Sequence, residues 1–479
     1  MQAPSYQDAM KELFGQSWPL LLAQGASFTS SMLVAYWFAH ARGNANLAAY
    51  GPISTTTALL AMLNFTALPL NIFMQQARRE EDDARVGLHF QFALLVSTLL
   101  TLFASAPIAF AGDAYIALGH TSETGAAINE FFRAMVYSGG LFPLLTQAVV
   151  RRTLVGVQKT KIAMGMTLNS ALLSSVTAFI AFKYKPTPAG FGYANSASYW
   201  LSLCSILGYL ALRDDFSSYA LFQKKGMLEW RHALPHLKKG AYMMASPTLE
   251  CLLFAIFSGL IGREGQSAAE AFSVANQYAR IVILTSFSAV AGPLGTLMMR
   301  YSDSNYSKLT ACFHAGLTLG ICIATPVLIL AFAIPFSLIR PFNAHPKNHS
   351  LFNQALMVIG AGGVMDGGIR IPSAGAIRSF NRDNRSLVIN VSGLSVGFLM
   401  AVLSHFFGFG PIAMILGLYL GISIAGLAQA WDVYTAIAAA PQTNPVGEQQ
   451  PLISPMAFAA KSPAPIEGRP SAAPSLIGL

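Results

Sequence analysis

Apolar residues recur along this chain in runs of about twenty, separated by short loops in which the charged residues collect. FALLVSTLLTLFASAPIAFA (Phe92 to Ala111) and LTLGICIATPVLILAFAIPF (Leu317 to Phe336) are two such runs. About twenty apolar residues in helical form cross a hydrocarbon core of about 30 Å. None of the runs alternates apolar with polar positions, so a membrane β-barrel is not expected. The pattern predicts twelve spans, at 17–40, 48–74, 88–111, 128–150, 162–182, 197–212, 241–261, 271–299, 309–340, 351–376, 387–407 and 411–437. The fold class expected is an all-α integral membrane protein.

Composition agrees: 54% of residues are hydrophobic and 11% charged, against about 25% charged in ordinary soluble domains. Charge then orients the chain. With the N-terminus placed in the cytoplasm, alternate loops carry 21 Lys and Arg inside and six outside, the bias expected of cytoplasmic loops. Both termini are therefore expected in the cytoplasm, in a cytoplasmic (inner or plasma) membrane. Orientation accounts for the net charge of +9, so the lipid bilayer is an expected partner and nucleic acid is not. The four cysteines all lie in apolar spans without C-x-x-C spacing and read as packing residues. The first apolar run continues as a full span, so no cleavable signal peptide is expected. No nucleophile has a base nearby in sequence and no metal spacing or phosphate loop occurs, so neither an enzyme nor a cofactor is expected.

The longest internal polar stretch, Arg213 to Gly240, divides the spans six and six. SWPLLL opens the first half and ASPTLE the second. RRTLVGVQKTKIAMGMTLNS leads into the fifth span as AGAIRSFNRDNRSLVINVS leads into the eleventh, placing Asn169 and Asn390 alike. The halves thus read as parallel repeats, two pseudo-symmetric six-helix bundles about an axis normal to the membrane. The expected division is a cytoplasmic segment 1–16, an N-lobe 17–212, a linker 213–240, a C-lobe 241–437 and a disordered tail 438–479. Within the tail, Glu448 to Ile453 (EQQPLI) has the form of an acidic dileucine sorting signal for endolysosomal membranes.

The order of these motifs resembles the multidrug and toxic compound extrusion (MATE) family, in its NorM-like branch. The resemblance is carried by WPLLLAQGASFTSSMLVAYWFAHARGNANLAAYG in the first span and by SPTLECLLF with SVANQYARIVILTSFSAVAGPLGTLMMR in the seventh and eighth. The VVRRTLVGVQKT and SAGAIRSFNRDN loops complete it. It implies a secondary antiporter that exports amphipathic, cationic organic compounds in exchange for H⁺ or Na⁺ by alternating access. The family's first-span acid would fall at Ala35, and the His of its eighth-span motif is replaced by Asn276.

Two intramembrane acids stand out. Glu250 lies inside MMASPTLECLLFAIFSGLIG, where a carboxylate costs about 2.5–3.5 kcal/mol on insertion scales and ordinarily has a function or a partner. The resemblance makes it the seventh-span coupling acid, while pairing with Arg280 is the structural alternative. Asp366, in GGVMDGGIRIPSAGAIR, resembles the tenth-span acid. Arg370 stands four residues on as a ready ion-pair partner, and the surrounding glycines and Pro372 predict a broken helix. Phe254 is placed to offer a ring to a cation. Asn276, Gln277, Arg280 and Arg370 are further candidate lining residues. A small organic substrate and a monomer are expected. The competing readings are a lipid-linked oligosaccharide flippase, which the arginines favour, and a transport-inactive membrane scaffold or receptor.

Overall fold

The computed structural model describes residues 6–439 apart from 42–44, 64–69, 71–72, 75–76, 78–81, 158, 214–215, 217, 220, 222–229, 302–305, 343–347 and 381. The tail motif Glu448 to Ile453 lies outside the described residues. Every regular element among them is helical.

The first half holds α1 (Tyr6–Ala39), α2 (Ala45–Leu63), α3 (Asp83–Ala109), α4 (Ala111–Leu118), α5 (Ser122–Tyr137), α6 (Leu141–Gly156), α7 (Thr160–Tyr184) and α8 (Pro188–Leu212). The second holds α9 (Trp230–Arg263), α10 (Gln266–Thr285), α11 (Gly292–Arg300), α12 (Tyr306–Ala333), α13 (Pro335–Ile339), α14 (His349–Met365), α15 (Ile371–Ser379), α16 (Asp383–Phe406) and α17 (Pro411–Ala438). Among the described residues, six stretches of helix are long and apolar enough to cross a membrane on their own. Several other spans are interrupted. The expected fourth span is two helices, parted at Ser138–Gly140, where Gly139 has φ of 66°, a conformation glycine adopts without steric cost. Two boundaries also move. The helix of the first span begins at Tyr6, within the expected N-terminal segment, and that of the seventh at Trp230, within the expected linker.

Local sequence sets the helix starts. Thr187 Oγ1 accepts a hydrogen bond from Gly190 N at 3.1 Å, and Pro188 follows at the first helical position of α8, where its missing N–H is not needed. Asp82 and Thr121 cap α3 and α5 in the same manner.

Within the first lobe α1 packs on α7, α7 on α8, and α5 on α8; within the second, α16 packs on α17 and α14 on α10, α12 and α17. At the α16–α17 contact two backbones approach closely. A β-carbon at Gly421 would stand 2.3 Å from Gly393 O and 2.5 Å from the Gly397 Cα. Small residues at such crossings let helices meet in lipid, where association cannot draw on the hydrophobic effect.

The buried apolar residues form three clusters. One joins both lobes at the end carrying Arg263: Phe38, Phe131 and Phe132 from the first lobe with Phe257, Phe272 and Ile422 from the second. At the opposite end each lobe has a separate cluster. Leu70, Phe90, Val149 and Leu154 form that of the first, and Leu294, Met298, Phe313 and Val433 that of the second, joined by Leu13 of α1. The lobes thus share the first cluster, and α1 reaches across to the second lobe at the other end, where Tyr301 donates to Glu12 Oε2 at 3.0 Å.

Candidate functional site

A cavity of about 120 Å³ lies between the lobes. Thr55 and Ala58 of α2 line it from the first lobe; Glu250, Cys251 and Phe254 of α9 and Asn276, Arg280, Ile283 and Leu284 of α10 line it from the second. Phe287, Ala291, Arg370, Ile371, Arg378 and Asn390 complete most of its wall.

Two π-turns shape this wall. Ser286–Ala291 joins α10 to α11, and Asp366–Arg370 joins α14 to α15. The break expected around Pro372 is thus a widened turn in a continuous helix. Pro372 falls in the first turn of α15, where it is tolerated, and the adjoining glycines absorb the inserted residue. Such turns are frequent at functional sites. The close fit leaves no room for larger residues: a β-carbon at Gly375 would meet Ala291 O at 2.5 Å, and one at Gly367 would meet Val282 Cγ1 at 2.3 Å.

Arg370 is the hub. Its Nη2 and Nη1 donate to Glu250 Oε1 and Oε2 at 2.6 and 2.9 Å, a bidentate pair. Its Nε donates to Asp366 Oδ1 at 2.6 Å, and Nη1 also approaches Asn390 Oδ1 at 3.4 Å. The planar guanidinium fork suits this parallel geometry. One cation thus serves two carboxylates, and with both ionised the triad carries one net negative charge. The pairing corrects the sequence-based alternative, since Glu250 meets Arg370, 120 residues away, and not Arg280.

The two acids are not equally placed. Glu250 lines the chamber, whereas Asp366 is fully buried behind Arg370. Asp366 Oδ2 has no hydrogen-bond partner among the described residues, nor do the buried hydroxyls of Ser286, Ser373 and Tyr419. Buried polar atoms are nearly always satisfied, so orphans of this kind mark places for water, a proton or an ion. Among the described residues no three His, Cys, Asp or Glu side chains are grouped to hold a metal ion.

The remaining candidates divide. Phe254 lines the chamber and meets the Tyr419 ring edge-on, with centroids 6.5 Å apart. Asn276 also lines it. Gln277 does not; it is buried and donates to Ser54 Oγ of α2 at 3.2 Å, bracing the seam between the lobes. Asn390, the counterpart of Asn169 in the repeat, belongs to the wall. Phe287 was not singled out by sequence, yet the guanidiniums of Arg152 and Arg378 stand 5.8 and 5.9 Å from its ring centre, one from each lobe. The available signal was spacing: positions 280, 283, 284, 287 and 291 repeat at helical intervals, and all five line the chamber.

Two helical bundles with a chamber between them are an arrangement found in many secondary transporters. The MatE family model matches residues 19–180. A probable multidrug resistance protein NorM of Bacillus cereus is 23% identical over 296 residues, covering 59% of this chain and 64% of the relative. The chain thus spans under two thirds of that relative's length. Among solved structures, an inward-facing multidrug resistance MATE family transporter of the MOP superfamily superposes with a TM-score of 0.75 at 15% identity, covering 86% of this chain and 95% of the other. A Pyrococcus furiosus MOP superfamily transporter, whose reverse pocket polarity suggests a different function, gives 0.74 at 15%, covering 92% and 98%. The first part of the chain thus matches the MatE family model, and the whole has the fold of MATE family transporters.

Proposed function

We propose that the protein is a secondary active exporter that moves amphipathic organic compounds across a membrane by alternating access, in exchange for H⁺ or Na⁺. The observation that carries this reading is the acid–arginine–acid triad on the wall of a chamber between the two lobes. The charges of the loops favour a cytoplasmic position for the end bearing Arg152 and Arg378. The chamber wall is complete within one chain, which suits a monomer.

In this reading Glu250 and Asp366 are the coupling acids and Arg370 their switch. A proton or Na⁺ arriving at either carboxylate competes with the guanidinium. Releasing Arg370 from Glu250 changes the contacts between α9, α14 and α15. A bound cation biases the inward–outward balance only by the difference in its affinity for the two forms; of the two acids, Glu250 faces the chamber and is the one a cation meets first. The first lobe, with Ala35 in place of an acid, adds no charge here.

The test is efflux from proteoliposomes of a matched pair of pyrene probes, one anionic and one cationic, under separately imposed pH and Na⁺ gradients. Export of either probe driven by either gradient, lost in Glu250→Gln at an equal protein level, is the expected result. Glu250→Gln export equal to that of the unaltered protein removes Glu250 from coupling, and no export of either probe removes the exporter reading.

A further inference from the structure

We propose that the chamber selects an amphipathic organic anion, with Arg280 as its counter-charge; this deepens the exporter reading and rests on it. The sequence resemblance implies a cationic substrate, and Glu250 is the group that would receive one. In the structure that carboxylate is already held on both oxygens by Arg370. A cationic guest would have to displace a buried bidentate arginine to reach it.

The charges of the wall point the other way. Among the described lining residues there are three guanidiniums, of Arg280, Arg370 and Arg378, and one carboxylate, that of Glu250. Arg370 is consumed by the triad. Arg280 makes no salt bridge or side-chain hydrogen bond among the described residues, and the groups within its electrostatic reach are the neutral Tyr50, Tyr199 and Cys251. A membrane-embedded arginine ordinarily pairs with a fixed partner or faces a functional cavity. Here the cavity is what it faces.

Arg152 and Arg378, one from each lobe, flank Phe287 at the end of the chamber away from Arg263. An anion arriving from that side meets positive charge before it reaches Arg280. The first-lobe wall at Thr55 and Ala58 contributes no opposing carboxylate. Apolar surface for the remainder of the guest comes from Phe254, Ile283, Leu284 and Ile371. Guanidinium hydrogen-bonds carboxylate, phosphate and sulfonate in a planar, directional manner. A wall with an excess of one charge sign also disfavours guests of that sign, which is how such sites discriminate.

The test uses the full chain purified in detergent, with pyrenebutyrate and pyrenebutyltrimethylammonium as probes of equal body and opposite charge. Pyrenebutyrate is expected to bind at least tenfold more tightly. Arg280→Gln should abolish that preference and Arg280→Lys should keep part of it. Ala58→Asp, which adds a carboxylate without removing the arginine, should weaken the anion and favour the ammonium, so the result does not depend on Arg280→Gln folding. Equal or tighter binding of the ammonium probe by the unaltered protein overturns the proposal, as does an anion preference that survives in Arg280→Gln. Competition by dioctanoyl phosphatidate alone would assign the anion to a lipid headgroup; competition by octyl phosphate as well would assign it to a free organic anion. Because binding is read without a gradient, anion preference without efflux sinks the exporter reading alone. Gradient-driven efflux of the ammonium probe together with ammonium preference sinks this proposal alone.

Discussion

Leu118 of the first lobe stands directly over Gly259 of the second: a β-carbon built at position 259 would lie 2.4 Å from that of Leu118. The contact sits beside the hydrogen bond from Arg263 Nε to Leu118 O at 2.8 Å. Gly259→Val therefore acts as a wedge between the lobes. Spin labels at the exposed positions Glu123 and Gln266 should report a longer and broader distance in Gly259→Val than in the unaltered protein. An unchanged distance would show that the seam yields elsewhere.

His120 gives the same seam a pH dependence. Its Nε2 lies 3.1 Å from Ser258 O across the lobes, and its ring meets Tyr115 edge-on. Burial lowers its proton affinity below the ordinary value of 6.5, and the bond to Ser258 O opposes this only in part. Arg263, bonded to the neighbouring Leu118 carbonyl, faces the same corner, and Glu264 is engaged by His405 at 2.5 Å. The closed seam thus favours neutral His120. An opened seam binds its proton more readily, so the contact is firmest above the ordinary histidine range and weakens as the pH falls through it. Lowering the pH from about 7.5 to about 5.5 should lengthen the Glu123–Gln266 label distance, and His120→Asn should flatten that response.

Removing Arg370 should cost more than removing either acid. Arg370→Met leaves two carboxylates facing each other in a buried site, and breaking a buried pair in this way costs about 3–5 kcal/mol. Thermal unfolding in detergent should show a lowered Tm. Combining Arg370→Met with Glu250→Gln and Asp366→Asn should restore most of the loss, because no charge is then stranded. A triple variant no more stable than the single one would show that Arg370 stabilises through packing.

The α16–α17 crossing supplies a contrast between glycines. At Gly421 the atoms a side chain would strike belong to the backbone of Gly393 and Gly397, which cannot turn aside. Gly421→Val should destabilise by at least the 1–3 kcal/mol typical of an overfilled core. Gly165 of α7 has nothing within 4 Å of its added β-carbon, and Gly165→Ala should be neutral or stabilising by up to about 1 kcal/mol through helix propensity. Parallel Tm measurements on the two variants check this difference.

Hydropathy made the spans legible, because each helix must present apolar side chains over the hydrocarbon thickness whatever its neighbours do. The fourth span was drawn as one because apolar residues flank SGG on both sides; the parting there depends on Gly139, whose φ hydropathy does not register. The acids at 250 and 366 were legible for the cost of their location. Their shared partner was not. Arg370 is four residues from Asp366 along one helix, but its reach to Glu250 depends on how α9 turns toward the π-turn at Asp366–Arg370. That rotation is a property of packing between helices. The stripe from Arg280 to Ala291 was visible as a helical repeat, yet without coordinates it could have faced lipid.

One consequence follows from the apolar cluster that takes side chains from both lobes. Phe131 and Phe132 rest in the same cluster as Phe257 and Phe272, so tilting the halves against each other must strip oily surface from its companions before anything replaces it. A traveller that sends the molecule over has to make good that loss through contacts of its own.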